Sequence, residues 1–500
     1  MSPVLLEALW LVLDPYVIGV CLAAGVFGMF VGSMPGLTAT MATALLVPIT
    51  FFMPPVPAIG AIVTATAMAI FAGDIPAAML RIPGTPASAA YADESYAMAR
   101  KGELDKNLGV NLVCSAVGGL FGVAILIVAA PLLAEVALNF SSFEYFWLAA
   151  LGLTCAVFIA QSDPLKGFAA LMIGLLIGTV GIDPTAGQPR FTFGTVELLQ
   201  GVSFIPAMIG LFAISEILRG AVRMDQTAHL VAHQVGNVFR GLGQLARKYW
   251  RNFLRGSSIG TAIGALPGAG ADVAAWISYA VSKRFSKEPE KYGTGHVEGV
   301  IDSTSANNSA VAAAWIPALV FGIPGDSITA IVIGVLYMKN MNPGPTVFLQ
   351  NPQLIYAVFL IFILANLIMI PIGYAAIKSA KLILKTPRNV LLPIILLFCI
   401  VGAYAMTNSV YGILIMLLLG MLGWLLEENR IPVAPIILGL VLGELFERSF
   451  MSSMIRADGS LLGFFSRPIA ATLGAVTLLL WAMMLLRPVW KLLAKAKPTS

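Results

Sequence analysis

The chain is 500 residues long, 58% hydrophobic and only 11% charged. Soluble domains carry roughly a quarter charged residues, so this composition cannot cover a water-facing surface. The net charge of +5 sits in short loops between apolar runs, which points away from nucleic acid and towards the positive-inside bias of membrane proteins.

Residues 107–134, 340–377, 389–426 and 468–486 contain no charged side chain, and mean hydropathy is +0.89. A bilayer core needs about 20 apolar residues, so each run holds at least one crossing. Backbone groups in lipid must be satisfied internally, which makes these spans helices. In chain order, apolar segments are predicted near 17–34, 37–53, 56–80, 107–134, 145–162, 167–182 and 198–218. Further segments follow near 256–282, 303–338, 353–377, 390–407, 409–426, 432–446 and 468–486. The fold class is all-α and polytopic, with about 11–13 transmembrane helices on length grounds.

Charge sets the expected topology. Residues 1–80 hold no Lys or Arg, which favours an outside N-terminus and lacks the positive n-region of a signal peptide. The stretch 219–255 carries seven basic residues, Arg219 to Arg255, against the single acid Asp225, and is expected in the cytoplasm. So are Lys378, Lys381, Lys385 and Arg388, and the tail with Lys491, Lys495 and Lys497. The predicted organisation is a first repeat at 1–219, a basic connector at 220–255, a second repeat at 256–486 and a tail at 487–500. Cys21, Cys114, Cys155 and Cys399 are scattered singly, without disulfide or metal spacing.

Two patterns recur in both halves. One is G-x-x-x-G-x-x-P-G, as Gly28, Gly32, Pro35, Gly36 and as Gly260, Gly264, Pro267, Gly268. The other is I-P-A-x-x-x-x-I-P-G-x-x-x-[ST]-A. It runs from Ile75-Pro76-Ala77 through Ile82-Pro83-Gly84 to Ser88-Ala89, and from Ile316-Pro317-Ala318 through Ile323-Pro324-Gly325 to Thr329-Ala330. Proline removes a backbone donor and glycine frees the backbone, so each Pro-Gly breaks an apolar helix. A lone Pro-Gly is a kink or packing contact. Paired breaks at matching positions point to a transporter's binding site. Flanking charges make 256–282 a re-entrant hairpin, each arm only about a dozen residues against the roughly 20 a crossing needs. Its counterpart opens from the other side, so the repeats are expected to be inverted.

The stretches GSMPGLTATMATALLVPITFFMPP, GALPGAGADVAAWISYAVSKRF and EGVIDSTSANNSAVAAAWIPALVFGIPGDSITAIVIGVLYMKNMNPGP resemble the large membrane subunit of tripartite tricarboxylate transporters, the TctA family. The resemblance implies a periplasmic solute-binding protein (TctC-like) and a small membrane subunit (TctB-like) as partners. It implies import of citrate or related di- and tricarboxylates across the bacterial inner membrane. It also implies coupling to an ion gradient, commonly sodium, with no other cofactor. No phosphate-binding loop is present, in keeping with transport without ATP.

Helix starts after the breaks offer free amides and a positive dipole end to an anionic substrate. The substrate candidates are Pro35, Gly36, Thr38 and Thr40, then Pro83, Gly84, Thr85 and Ser88. The second half supplies Pro267, Gly268, Gly270 and Asp272, then Pro324, Gly325, Asp326 and Ser327. The same hydroxyls and acids are preferred helix caps, so capping alone is the plainer reading. Sodium prefers oxygen ligands, and Asp74, Ser303, Ser305, Asn307, Asn308 and Asp326 are its candidates. The tract Asp302–Ser309 reads equally as a solvated loop. Asp74 reads equally as a cation ligand or as an ion-pair partner of Arg81. His229 and His233 lack the carboxylate that a zinc site needs. A passive channel, an ATP-driven permease and an intramembrane enzyme are the competing functions, and no nucleophile, metal or Asp-Asp constellation supports the last.

Overall fold

The structure, a computed structural model, describes residues 3–35, 37–159, 164–183, 187–222, 236–384 and 388–495. Gly36, His229 and His233 lie outside them. The described chain is almost wholly helical, and its sheet is a single antiparallel pair, Gly181–Ile182 with Pro189–Arg190. Among the described residues six helices are long and apolar enough to cross a membrane: Pro15–Gly32, Pro55–Leu80, Leu104–Ala137, Phe204–Val222, Pro352–Ile383 and Val410–Glu428. Shorter apolar helices accompany them, as an all-α polytopic membrane protein requires.

The chain forms two compact units. One comprises 1–135 and 203–425, the other 136–202 and 426–500. In the second, Ser142–Ile159 and Pro164–Gly178 pack on Ala434–Arg456. Its strand pair is fastened by Arg190, whose guanidinium lies 2.7 Å from Glu447 and 3.3 Å from Asp183. Trp147 donates to the Phe464 carbonyl at 2.9 Å within an aromatic cluster.

The first unit holds the duplicated patterns, and the backbone is duplicated with them. In the first half a helical hairpin, Pro15–Gly32 and Ala39–Phe51, leads into a central helix, Pro55–Ala72. That helix breaks at Gly73 and continues as a short stub, Asp74–Leu80. The second half repeats the order: hairpin Leu242–Gly264 and Gly270–Phe285, central helix Val297–Ala313, break at Ala314, stub Trp315–Phe321. Pro76 and Pro317 occupy the first turn of their stubs, where a missing N–H costs nothing. Both stubs end in a left-handed residue, Arg81 (φ 58) and Gly322 (φ 67). Both close with the same two bonds, Arg81 N to Ala77 O and Ile82 N to Pro76 O, against Gly322 N to Ala318 O and Ile323 N to Pro317 O.

Glycine fixes how each hairpin meets its central helix. A Cβ on Gly28 or Gly32 would lie 2.7 Å from the Cα of Ala65 or Ala69. On Gly260 or Gly264 it would lie 2.6 or 2.7 Å from the Cα of Ala306 or Ala310. Such distances permit only glycine, so the helices touch backbone to backbone. The long helices that close the halves cross over. Leu104–Ala137 packs Gly118 and Gly122 on Ser305 and Ser309 of the second half. Pro352–Ile383 packs Ile361 and Ile372 beside Gly60 and Gly25 of the first.

Two expectations are corrected here. The first arm of the second hairpin is not a dozen residues: it begins at Leu242 and runs for 23, kinked at Tyr249. Arg247, Lys248, Arg251 and Arg255 therefore lie on the helix rather than in a flanking loop. The tract Asp302–Ser309 is not a solvated loop but the fully buried middle of the central helix Val297–Ala313. Serine and asparagine favour turns by propensity, but packing against three helices overrides that preference.

Candidate functional site

Three of the four helix starts after a break carry a side-chain cap, and Gly270–Phe285, which follows Ala269, does not. Thr38 accepts from Met41 N at 3.2 Å. In the first Ile-Pro-Gly loop, Thr85 and Ser88 cap one another, each backbone N–H donating to the other's hydroxyl at 3.1 Å. In the second, Asp326 accepts from Thr329 N at 2.7 Å, and Asp326 N donates to Thr329 Oγ1 at 2.8 Å. The two loops therefore share one reciprocal capping box at equivalent positions, built from different side chains.

The starts converge. Asp272, in the first turn of Gly270–Phe285, accepts from Ala87 N of the first loop at 3.0 Å. Gly268 (φ 81) and Gly270 (φ 61) shape the turn after Pro267, and a Cβ on Gly270 would sit 2.6 Å from Asp326 Cβ. A Cβ on Gly84 would sit 2.8 Å from the Gly32 carbonyl, and Ala39–Phe51 packs on Ser327–Met338. Pro35, Thr38, Thr40, Pro83, Thr85, Ser88, Pro267, Asp272, Pro324, Gly325 and Ser327 thus belong to one linked set of helix starts. The place holds two carboxylates, Asp272 and Asp326. An anion beside them meets repulsion that is strong in a low-dielectric interior unless positive charge enters with it.

The sodium candidates separate by helix face. Asp302 is fully buried and bound by Arg255, with Nη2 to Oδ2 at 2.7 Å and Nε to Oδ1 at 2.9 Å. Asn252 and Ser282 also donate to it. Ser305 donates to the Phe253 carbonyl of the hairpin at 3.4 Å, and Ser309 to the Ser257 carbonyl at 3.0 Å. These side chains fasten the central helix to its hairpin. Residues 303, 304, 307 and 308 form another face, as helical spacing requires. There Ser303 Oγ, both amide atoms of Asn307 and Asn308 Oδ1 are buried and make no hydrogen bond.

Asp74 is linked to this second set through Tyr91. It is fully buried, Tyr91 donates to its Oδ1 at 2.6 Å, and its Oδ2 has no partner. Thr304 and Asn307 flank the same Tyr91 hydroxyl. The alternative pairing with Arg81 does not occur: Arg81 is exposed and bonds Asp93 at 2.8 Å. Asp326 stands apart from this group, with its carboxylate engaged at the cap.

Sequence reasoning missed several members. Tyr91 left no local signal. Asn107, Asn111 and Ser115, spaced i, i+4, i+8 in a charge-free run, did, and that stripe turns to the polar helix, where Thr304 donates to Asn111 at 3.0 Å. Glu94 was missed too. Its buried carboxylate accepts from the backbone N–H groups of Gly293, Gly295 and His296 and from the Tyr279 hydroxyl, which pins the loop that follows the second hairpin.

A family model described as "Tripartite tricarboxylate transporter TctA family" matches residues 18–438. A 52.8 kDa Agrobacterium vitis protein, described as uncharacterized and from the TAR-I ttuC' 3' region, is 34% identical over 93% of this chain and 92% of its own length. A second, from the TAR-II ttuC' 3' region of the same organism, is 33% identical over 41% of this chain and 84% of its own. No solved structure matches the chain.

Proposed function

This chain belongs to the TctA family of tripartite tricarboxylate transporters, and from that premise we propose that it imports citrate or related di- and tricarboxylates by sodium symport with alternating access. As a family member it is a tricarboxylate transporter's large subunit, and it is a multi-pass membrane protein. The proposal adds delivery by a periplasmic solute-binding protein, assembly with a small membrane subunit, and residence in the bacterial inner membrane. It treats the two halves as inverted, the second beginning with the hairpin arm at Leu242, with 487–500 as a cytoplasmic tail.

One observation carries the reading: the bond from Ala87 N to Asp272, which joins a break of one half to a break of the other. Duplicated broken helices that meet across a repeat are what alternating access moves against each other. The free amides of the starts suit a carboxylate. Asp272 and Asp326 beside them favour entry of the anion together with a cation, which a passive pore does not supply.

The test is uptake of labelled citrate and other carboxylates by proteoliposomes holding all three subunits. Saturable accumulation under an inward sodium gradient, lost when the gradient is collapsed or the binding protein omitted, is the expected result. Unsaturable equilibration that ignores the gradient would leave a channel. Within that assay, Asp272→Ala is expected to lower uptake roughly tenfold or more through loss of a charge-assisted bond, at unchanged protein in the membrane.

A further inference from the structure

We propose that a sodium ion binds between the two halves, on Asp74 of the first and the amide oxygen of Asn307 of the second, with Tyr91 holding Asp74 in position. The inference rests on the transport reading above and locates its coupling ion. A carboxylate that is fully buried is costly unless a cation or donors compensate it. Asp74 has Tyr91 on one oxygen and nothing on the other. Among the described residues no basic side chain pairs with it, and Arg81, near it in sequence, is turned outward to Asp93.

The neighbouring face of Val297–Ala313 supplies the complement. Asn307 Oδ1, Asn308 Oδ1 and Ser303 Oγ are buried oxygens without a donor. Most buried polar atoms in native proteins find a partner, and one left without it is costly. A proton on Asp74 would satisfy one acceptor. A hard cation satisfies several at once, because it takes oxygen ligands. One carboxylate suits a monovalent ion: among the described residues no three His, Cys, Asp or Glu side chains gather as a multivalent metal prefers.

The position also suits coupling. Asp74 is the first residue after the Gly73 break, and Gly84 N, beside the first helix start, donates to the Gly73 carbonyl at 3.1 Å. An ion at Asp74 therefore sits one hydrogen bond from the loop that meets Asp272. Ser305 and Asp326 are excluded from the site, since the first is bonded to backbone and the second to Thr329.

Equilibrium binding of radioactive sodium to the purified full chain in lipid nanodiscs tests the site. The wild type should bind saturably and be displaced by unlabelled sodium but not by choline. Asp74→Asn and Asn307→Ala should each weaken binding roughly tenfold or more, and Tyr91→Phe should weaken it less. Since a buried variant can misfold, unfolding temperature is recorded as sodium replaces choline: a rise in the wild type, absent in Asp74→Asn, is expected. No saturable binding by the wild type, or wild-type affinity in both Asp74→Asn and Asn307→Ala, overturns the proposal. Carboxylate uptake is scored separately. Uptake driven by a proton gradient without sodium binding keeps carboxylate import but overturns this site and the sodium coupling. Sodium binding without uptake supports the site and overturns the transport reading.

Discussion

The helices Pro55–Ala72 and Val297–Ala313 stand at equivalent places in two copies of one backbone, yet their contents differ. The first is apolar apart from Thr64 and Thr66. The second carries eight consecutive residues, Asp302–Ser309, of which only Ala306 lacks a polar side chain. Both are buried along their length except at Pro55 and Glu298. Glycine contacts onto Ala65 and Ala69, or onto Ala306 and Ala310, preserve the scaffold in each. Chemistry was free to diverge where the scaffold did not need it. The divergence is complementary: Asp74 heads the first stub where Trp315 heads the second, while the amides lie on the second central helix. A carboxylate from one half thus shares Tyr91 with an amide from the other.

The largest effect should come from the pair that only the second half possesses. Ala23 and Ala61 stand where Arg255 and Asp302 stand in the repeat. Removing one partner of a buried ion pair costs about 3–5 kcal/mol. Arg255 is partly exposed and Asn252 and Ser282 remain, so Arg255→Ala should destabilise by about 2–4 kcal/mol in denaturant unfolding. The double change Arg255→Met with Asp302→Leu should recover at least half of that, because the first half shows that apolar residues serve at these places. A double variant as unstable as the single one would break the comparison.

Next come the shared glycines. Gly28→Ala and Gly260→Ala should each cost about 1–3 kcal/mol through overpacking, and by similar amounts. A large difference between them would mean that the hairpins are seated differently. The caps follow. Thr85→Ala and Asp326→Ala should each lower stability by about 1 kcal/mol. Equal losses with unequal effects on uptake would show which of the two equivalent loops meets the substrate.

The repeat was legible because its signals are local. Proline and glycine mark the breaks, and Thr85, Ser88, Asp326 and Thr329 mark the caps, without knowledge of neighbours. The polar tract was legible as a cluster of oxygens and not as a helix, since only burial against the hairpin and Leu104–Ala137 decides its conformation. Its division into a fastening face and an unsatisfied face needed the packing. Tyr91 reaches Asp74 through a turn that no periodicity announces, and Arg255 was counted as a flanking charge because its helix begins among basic residues.

The smallest effect concerns Arg81 and Gly322, which fill the same left-handed position. Glycine adopts that conformation freely, whereas a residue with Cβ is strained there by about 1 kcal/mol. The bond from Arg81 to Asp93 joins two exposed side chains, and such pairs return about 0–1 kcal/mol. On stability alone Arg81→Gly should be neutral or gain up to about 1 kcal/mol, so the arginine is not explained by the fold. It directly precedes Ile82-Pro83-Gly84, where a guanidinium can meet an arriving carboxylate. Unfolding midpoints and carboxylate uptake, measured on the same preparations, decide the matter. A variant at least as stable as wild type but with a raised half-saturating substrate concentration would assign Arg81 to substrate capture. One with unchanged uptake would reduce it to a strained copy of Gly322.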